Sequence, residues 1–479
     1  MQIEVNLLKD FYLVYDYIYT GDVLPNALNH NYSNSLFKNH AFVDESVISY
    51  YRENFIQLPN LNAYLDVNSK LINRITYNEY INNNYANSKN IAFCYPIEPY
   101  ANIDHVLGTM GSFDKRSVIG NIPTNTLAEL QNPNNNFYLL IAFTNEGTIG
   151  KHLFEYLYNI CYDYNIPNKK LIFSIACPDI ETHHQKYVIS EKIPKEHQIK
   201  TLFWHWSLRQ KADEANLILY DETLINQDKF KTKPSIVSNT DLNTSIIRNN
   251  KFMIFNRRLR DHRIVLISLL GNKFIENNLV SYDMDMNHND TSSEFFKSRL
   301  NGTLIDLAVE NLKEIYEKNK KSIIDFDDIN SVLGFGYEVH KPYLDSYIHI
   351  CTETNFYEPG IYFSEKTWKP ILNLQPFINV NYQGALKHLK EMGFETFHPF
   401  INEEYDNILD PKKRIEFIYN EITRINNLPI NEIHDWYHGI QDILVYNQNH
   451  ALQHRKESEY QIKLEENYLK SIRDYVRNS

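Results

Sequence analysis

From about residue 89 the chain alternates short apolar runs with segments whose apolar residues recur every three or four positions. The runs are NIAFCYPI, FYLLIAFT, KLIFSIAC, IKTLFWHW and NLILYD. Between two of them, TIGKHLFEYLYNICYDYN sets Leu153, Tyr156, Leu157, Ile160 and Cys161 at helical spacing. Continuous apolar strands separated by amphipathic helices are the pattern of a parallel sheet covered on both faces. The pattern predicts a Rossmann-like domain over residues 89–245, without a GxGxxG fingerprint. It ends in the polar, turn-prone SNTDLNTS at 238–245.

A second α/β unit is expected over 246–425. It opens with the strand-like KFMIFN (251–256), continues through helices near 260–270 and 294–317, and adds SYIHICTE (346–353) as a strand. A helix then opens at SEKTWK and a strand follows at PFINV (376–380). The tail from about 411 reads as helical, with 426–479 as a C-terminal helical segment. In its last part Leu464, Tyr468, Leu469, Ile472, Tyr475 and Val476 form one apolar stripe, which needs a groove on the protein or a partner. Residues 1–88 mix aromatic runs with Asn-rich connectors and read as a mostly helical extension. The expected class is therefore α/β, GT-B-like: two Rossmann-like domains facing a cleft, with an N-terminal extension and C-terminal helices. Ligands of open α/β sheets bind beyond the carboxyl ends of the strands.

The 479 residues carry a formal net charge of −12, which disfavours nonspecific wrapping of nucleic acid but leaves room for a local basic cleft. The four cysteines, Cys94, Cys161, Cys177 and Cys351, are dispersed, so neither a disulfide framework nor a zinc site is expected. The N-terminus lacks a basic region followed by an apolar stretch, and no window approaches the roughly 20 apolar residues of a membrane span. A cytoplasmic protein without membrane attachment is expected, in host cytoplasm if the source is viral.

Two segments carry candidate chemistry. FNRRLRDHR (255–263) follows an apolar strand and opens a helix, bringing Arg257, Arg258, Arg260, His262 and Arg263 to a strand-to-helix turn. The positive end of the helix dipole favours anions there, and arginine adds bidentate donors for phosphate oxygens. A solvated basic turn with structural ion pairs weighs equally. IYFSEKTWKPILNLQPFINV (361–380) offers Ser364 as N-cap, Glu365 in the first turn, and Lys366 and Lys369 on one face. Trp368, Ile371 and Leu372 supply its buried face, and Pro370 should distort the helix. Alone, this segment reads more simply as a capped surface helix.

Taken together, the two segments resemble the donor-binding half of the α-1,3-fucosyltransferase family, and still more the fucosyltransferase-like proteins of phages and other viruses. GFETF (393–397) and the Tyr-Asp pair of EEYD (403–406) extend the resemblance, which covers roughly 250–425. It implies a GT-B fold and an inverting transfer from a nucleoside-diphosphate sugar, with no metal required. It further implies that Arg257 or Arg258, with Arg260 and Arg263, holds the donor diphosphate. Glu365 would bind the ribose, Lys366 a phosphate oxygen, and Thr352, Glu353 and Thr354 would lie near the nucleotide or sugar. The lead-in Tyr362-Phe363-Ser364 departs from the family's Tyr/Phe-Val-Thr, so the donor base and sugar stay open.

An inverting transfer needs a base for the acceptor hydroxyl. Glu98, directly after a strand, is the first candidate, followed by Glu146 and His205, each of which also has an ordinary structural reading. Asp283-Met-Asp285 has an Asp-x-Asp form, but so short a pattern in an acidic loop arises readily by chance. The acceptor is expected to be a glycan, a protein or a modified viral DNA base. A non-catalytic nucleotide-sugar-binding or interaction protein is the alternative.

Overall fold

The computed structural model describes residues 8–15, 71–97, 119, 122–143, 149, 152–204, 206–220, 236–242, 244–256, 260–283, 293–318, 321–322, 337–456 and 458–479. The chain divides into two compact units, one of residues 1–206 with 456–479 and one of residues 207–455.

The first unit holds a parallel sheet of six strands: β1 (Phe11–Tyr15), β2 (Asn73–Thr76), β3 (Ala92–Ile97), β4 (Phe137–Phe143), β5 (Leu171–Ile175) and β6 (Lys200–Phe203). Their order is β2-β1-β3-β4-β5-β6. Strands β3, β4 and β5 are buried at every position, which is why they read as continuous apolar runs. Among the described residues, four helices accompany these strands in chain order: α1 (Tyr77–Asn82), α2 (Thr124–Gln131), α3 (Leu153–Asp163) and α4 (Ile180–Ser190). Alternate strand residues Phe93, Tyr95, Leu139, Ile141 and Phe173 share one core with Leu153, Leu157 and Ile160 of α3.

The second unit opens with α5 (Trp206–Tyr220) and is built on a sheet ordered β11-β10-β7-β8-β9. Its strands are β7 (Asn250–Asn256), β8 (Leu279–Asp283), β9 (Lys321–Ser322), β10 (Ser346–Thr352) and β11 (Phe377–Val380), and only the short β9 runs antiparallel. The intervening helices are α6 (Asp261–Glu276), α7 (Ser293–Lys297), α8 (Leu304–Lys318), α9 (Tyr337–Asp345), α10 (Glu365–Leu372) and α11 (Ala385–Glu391). Three more close the unit: α12 (Pro411–Asn426), α13 (Ile430–Gly439) and α14 (Gln441–Leu452). Gly271 breaks α6 at φ 70°, and Asn311 of α8 fills the break by donating Nδ2 to Ser268 O at 2.8 Å. A Cβ at 271 would meet that same Nδ2 at 2.8 Å, so glycine is required there.

The chain then returns to the first unit as α15 (Glu459–Asn478). Its stripe of Ile462, Tyr468, Leu469, Ile472 and Val476 packs on the sheet face formed by Phe11, Leu13, Cys94, Tyr138, Leu140 and Ile172. Tyr468 Oη reaches Ser174 Oγ at 2.8 Å, its ring stacks on Trp204 at 4.6 Å, and Arg477 pairs with Asp10 at 2.6 Å. The groove that the stripe needed is a sheet face of the first unit.

Four expectations change. The described part of 1–88 is not a separate helical extension, because β1, β2 and α1 belong to the first unit and both strands join its sheet. FYLVY is a five-residue apolar strand, whose signal the Asn-rich surroundings concealed. Residues 216–220 of the NLILYD run end α5 rather than forming a strand, since a short apolar run fits either period and the preceding RQKADEA favours helix. The helix expected over 294–317 is two, α7 and α8, separated by a turn in which Gly302 adopts φ 54°. Finally, the units part after residue 206 rather than at 245, and the tail divides, with α12–α14 in the second unit and α15 in the first.

Replacing Leu469, which is fully buried, by alanine should cost about 2–5 kcal/mol through a cavity under α15. Denaturant unfolding checks this, and a change within about 0.5 kcal/mol, the scale of a surface substitution, would contradict the packing.

A buried cation gives a second test. Lys170, immediately before β5, donates to Glu129 O at 3.2 Å and to Asn135 Oδ1, and burial draws its ammonium down to about 7 against the pull of Glu129. Between that value and the unfolded value of about 10.4, the unfolded chain binds the extra proton, so stability contributed at this site rises with pH. Lys170→Met should flatten the rise. It should still fold, because Glu129 O and Asn135 Oδ1 keep Asn135 Nδ2 and Phe137 N as donors. Urea midpoints measured from pH 7 to pH 10 would show an unchanged slope if Lys170 enters the fold uncharged at no cost.

Candidate functional site

In the second unit β8 lies on one side of β7, and β10 and β11 on the other. The winding therefore reverses between β7 and β10, the place where open α/β sheets bind ligands beyond their strand ends. Asn256 ends β7 and Thr352 ends β10. The Thr352 hydroxyl donates to Asn256 Oδ1, and both side chains are buried. Asn256 Nδ2 is a buried donor with no hydrogen-bond partner among the described residues.

Two helices begin at this reversal. Arg260 is the N-cap residue of α6, exposed, with no side-chain cap on the helix. Its cationic side chain thus adds to the positive end of a helix dipole. The next residues turn inward. His262 sits 2.9 Å from Glu353 O and stacks on Phe356 at 5.4 Å. Burial, then the neighbouring Arg263 charge, hold His262 far below the usual imidazole range. The ring is therefore neutral, and Nε2 carries the hydrogen toward the carbonyl. Arg263 donates through Nη2 to Thr352 O at 2.8 Å and Glu353 O at 3.2 Å. Burial lowers its guanidinium to about 10 against the Glu353 charge, so it stays cationic at neutral pH.

The second helix is α10. Ser364 is its N-cap and accepts from Lys366 N at 3.2 Å. The carboxylate of the fully buried Glu353 accepts from Ser364 N at 3.0 Å, Ser364 Oγ at 2.6 Å and Thr367 Oγ1 at 2.6 Å. Asn379 of β11 donates to Thr367 at 2.9 Å and extends the network into the sheet. Pro370 cannot donate to Lys366 O, and the Cys351 thiol supplies that carbonyl with a donor at 3.2 Å. On the outer side, Glu365, Lys366 and Lys369 are half-buried, and Lys366 Nζ lies 2.6 Å from Glu365 Oε1. Burial would raise the Glu365 carboxyl, but Lys366 by charge and hydrogen bond, with Lys369 by charge, brings it down to about 2. Glu365 is thus an obligate acceptor, suited to hydroxyl groups and not to phosphate oxygens. The Arg263 guanidinium feels the charges of both Arg260 and Glu365, so the two helix starts share one electrostatic neighbourhood.

Of the residues proposed from sequence, Arg260, Arg263, Thr352, Glu353, Thr354, Glu365, Lys366 and Lys369 gather at this reversal. Arg260, Glu365, Lys366 and Lys369 present side chains outward or half-outward, and Thr354 is half-buried. Arg263, Thr352 and Glu353 are buried and bonded internally. Arg257, Arg258, Glu98, Glu146, His205 and Asp285 lie outside the described residues, and Asp283 ends β8.

Two motif elements serve packing. Glu403 accepts from Phe397 N and Thr396 Oγ1, each at 2.7 Å, and so joins EEYD to GFETF. Asp406 caps α11 through Leu386 N at 3.0 Å and Lys387 N at 3.1 Å.

One arrangement in the first unit escaped the sequence reading. Asp179, one residue before α4, receives His183 Nε2 at 2.7 Å and the Cys177 thiol at 2.9 Å, beyond the carboxyl end of β5. An Asp four residues before a His at a strand-to-helix turn was the available signal. Comparison of the chain with protein-family models, with curated proteins and with solved structures gave no match.

Proposed function

We propose that the protein is a glycosyltransferase of GT-B-like architecture, with the second unit gripping a nucleoside-diphosphate sugar. One observation carries the reading: two helix starts bearing Arg260 and the Glu365–Lys366–Lys369 group converge where the winding of a parallel sheet reverses. Arg260, Lys366 and Lys369 neutralise the diphosphate, with Arg257 and Arg258 added on the strength of the family resemblance. Glu365 accepts ribose hydroxyls. Thr352 and Thr354 line the strand end beneath the donor.

Transfer proceeds with inversion and without a divalent metal. An oxygen lone pair of the acceptor hydroxyl forms the bond to the anomeric carbon. The bond from that carbon to the diphosphate breaks, and its electron pair leaves with the nucleoside diphosphate. The acceptor proton passes to a general base and from there to water. Cations fixed around the leaving diphosphate lower the barrier, because they need no reorganisation as charge develops. The acceptor is a hydroxyl on a glycan, a protein or a modified DNA base.

The test is a melting-temperature screen with GDP, UDP, ADP, CDP and TDP, with Mn²⁺ and with EDTA. A bound nucleotide at 100 times its Kd stabilises by about 2.7 kcal/mol. A shift with one base, unchanged by EDTA, is expected, and Lys366→Ala should weaken that nucleotide about tenfold, as one charge-assisted contact. No shift with any nucleotide refutes the donor site and favours an interaction protein.

A further inference from the structure

Glu353 belongs to the segment just past β10, a position that suggests contact with a ligand, yet its side chain points into the protein and is fully buried. Its two halves do different work. The backbone carbonyl accepts from His262 Nε2 at 2.9 Å and from Arg263 Nη2 at 3.2 Å, both on the first turn of α6. The carboxylate accepts from Ser364 N, Ser364 Oγ and Thr367 Oγ1 at the first turn of α10. One residue is therefore bonded to the opening turns of both helices. Burying a carboxylate is costly, and three donors together with the nearby Arg263 charge offset the cost.

The arrangement has geometric consequences. Arg260 lies immediately before the α6 turn that grips Glu353 O, and Lys366 lies between the two α10 residues that grip the carboxylate. The separation of these two cations follows from one rigid residue rather than from two independent loops. Fixed spacing matters for a ligand with two linked anionic groups, since each cation must meet its own group without rearrangement. A single phosphate gains nothing from it.

We infer that Glu353 is a positioning residue that sets the spacing of the Arg260 and Lys366 arms, and so selects ligands with two adjacent phosphoryl groups over those with one. The inference rests on the donor-site reading above and adds to it the source of diphosphate selectivity. Glu353 itself touches no ligand. Its amide variant keeps one acceptor oxygen but replaces the other with an NH₂ donor, so one of the Ser364 Oγ and Thr367 Oγ1 bonds must reverse its direction or break.

The probes are inorganic pyrophosphate and inorganic phosphate, which need neither the right base nor the right sugar. Their affinities for the full chain are measured by titration calorimetry, below the melting temperature of every variant. The wild-type chain should prefer pyrophosphate by about tenfold or more, equivalent to about 1.4 kcal/mol. Glu353→Gln should reduce that preference to roughly twofold, chiefly by weakening pyrophosphate. Thr367→Val keeps the carboxylate and the volume while removing one bond to it, and should give a smaller loss of preference. It also decides the matter if Glu353→Gln does not fold.

A purely structural Glu353 would lower the melting temperature and leave the ratio of the two affinities at its wild-type value. That result in a folded Glu353→Gln, or in Thr367→Val when Glu353→Gln does not fold, overturns the inference and leaves the donor site standing. A wild-type chain that does not prefer pyrophosphate overturns the donor-site reading itself.

Discussion

A parallel sheet buried on both faces has to be covered on both, and this chain builds two such sheets. Most of its helices answer that demand locally, each lying between the strands it connects. The first sheet is the exception. Helix α3 serves one of its faces, while the other, formed by residues such as Leu13, Cys94, Leu140 and Ile172, is closed by α15 from the far end of the sequence. Asp10 with Arg477, and Ser174 with Tyr468, join polar groups from the two ends around that apolar contact. The division into units, with residues 456–479 grouped with 1–206, follows from this requirement.

The same physics decided what could be read from the sequence. Strands β3, β4 and β5 are buried throughout, and each appears as a nearly continuous apolar run. The edge strand β2, NRIT, is half-buried and carries almost no hydrophobic signal. NLILYD misled because four apolar residues in a row fit a strand or a helix equally well. The stripe on α15 was plain, but its groove was not, since a stripe records that a helix is covered and says nothing of which distant residues cover it.

At the candidate site the charged residues were legible and their division of labour was not. A basic turn and a Ser-Glu-Lys helix start are local patterns, and the sheet reversal brings them to one end of the fold. Burial separates residues that look alike in sequence. Arg260 is exposed, while Arg263, three positions on, spends its donors on the carbonyls of Thr352 and Glu353. Glu365 faces outward and is ionised by its lysine neighbours, while Glu353 holds the frame from within. Asp179 and His183 lay in the middle of CPDIETHH without drawing notice, because a hydrogen bond across one helical turn has no compositional mark.

The position of α15 also bears on how the chain matures during synthesis. Its residues leave the ribosome more than 250 residues after β6, the last strand of the sheet they cover. Domains emerging first usually fold first. Here the first unit keeps an uncovered apolar face until α15 has been made, and the other unit, residues 207–455, has all its own parts before that moment. A chain truncated before residue 459 therefore exposes an apolar sheet face, the kind of surface that promotes aggregation.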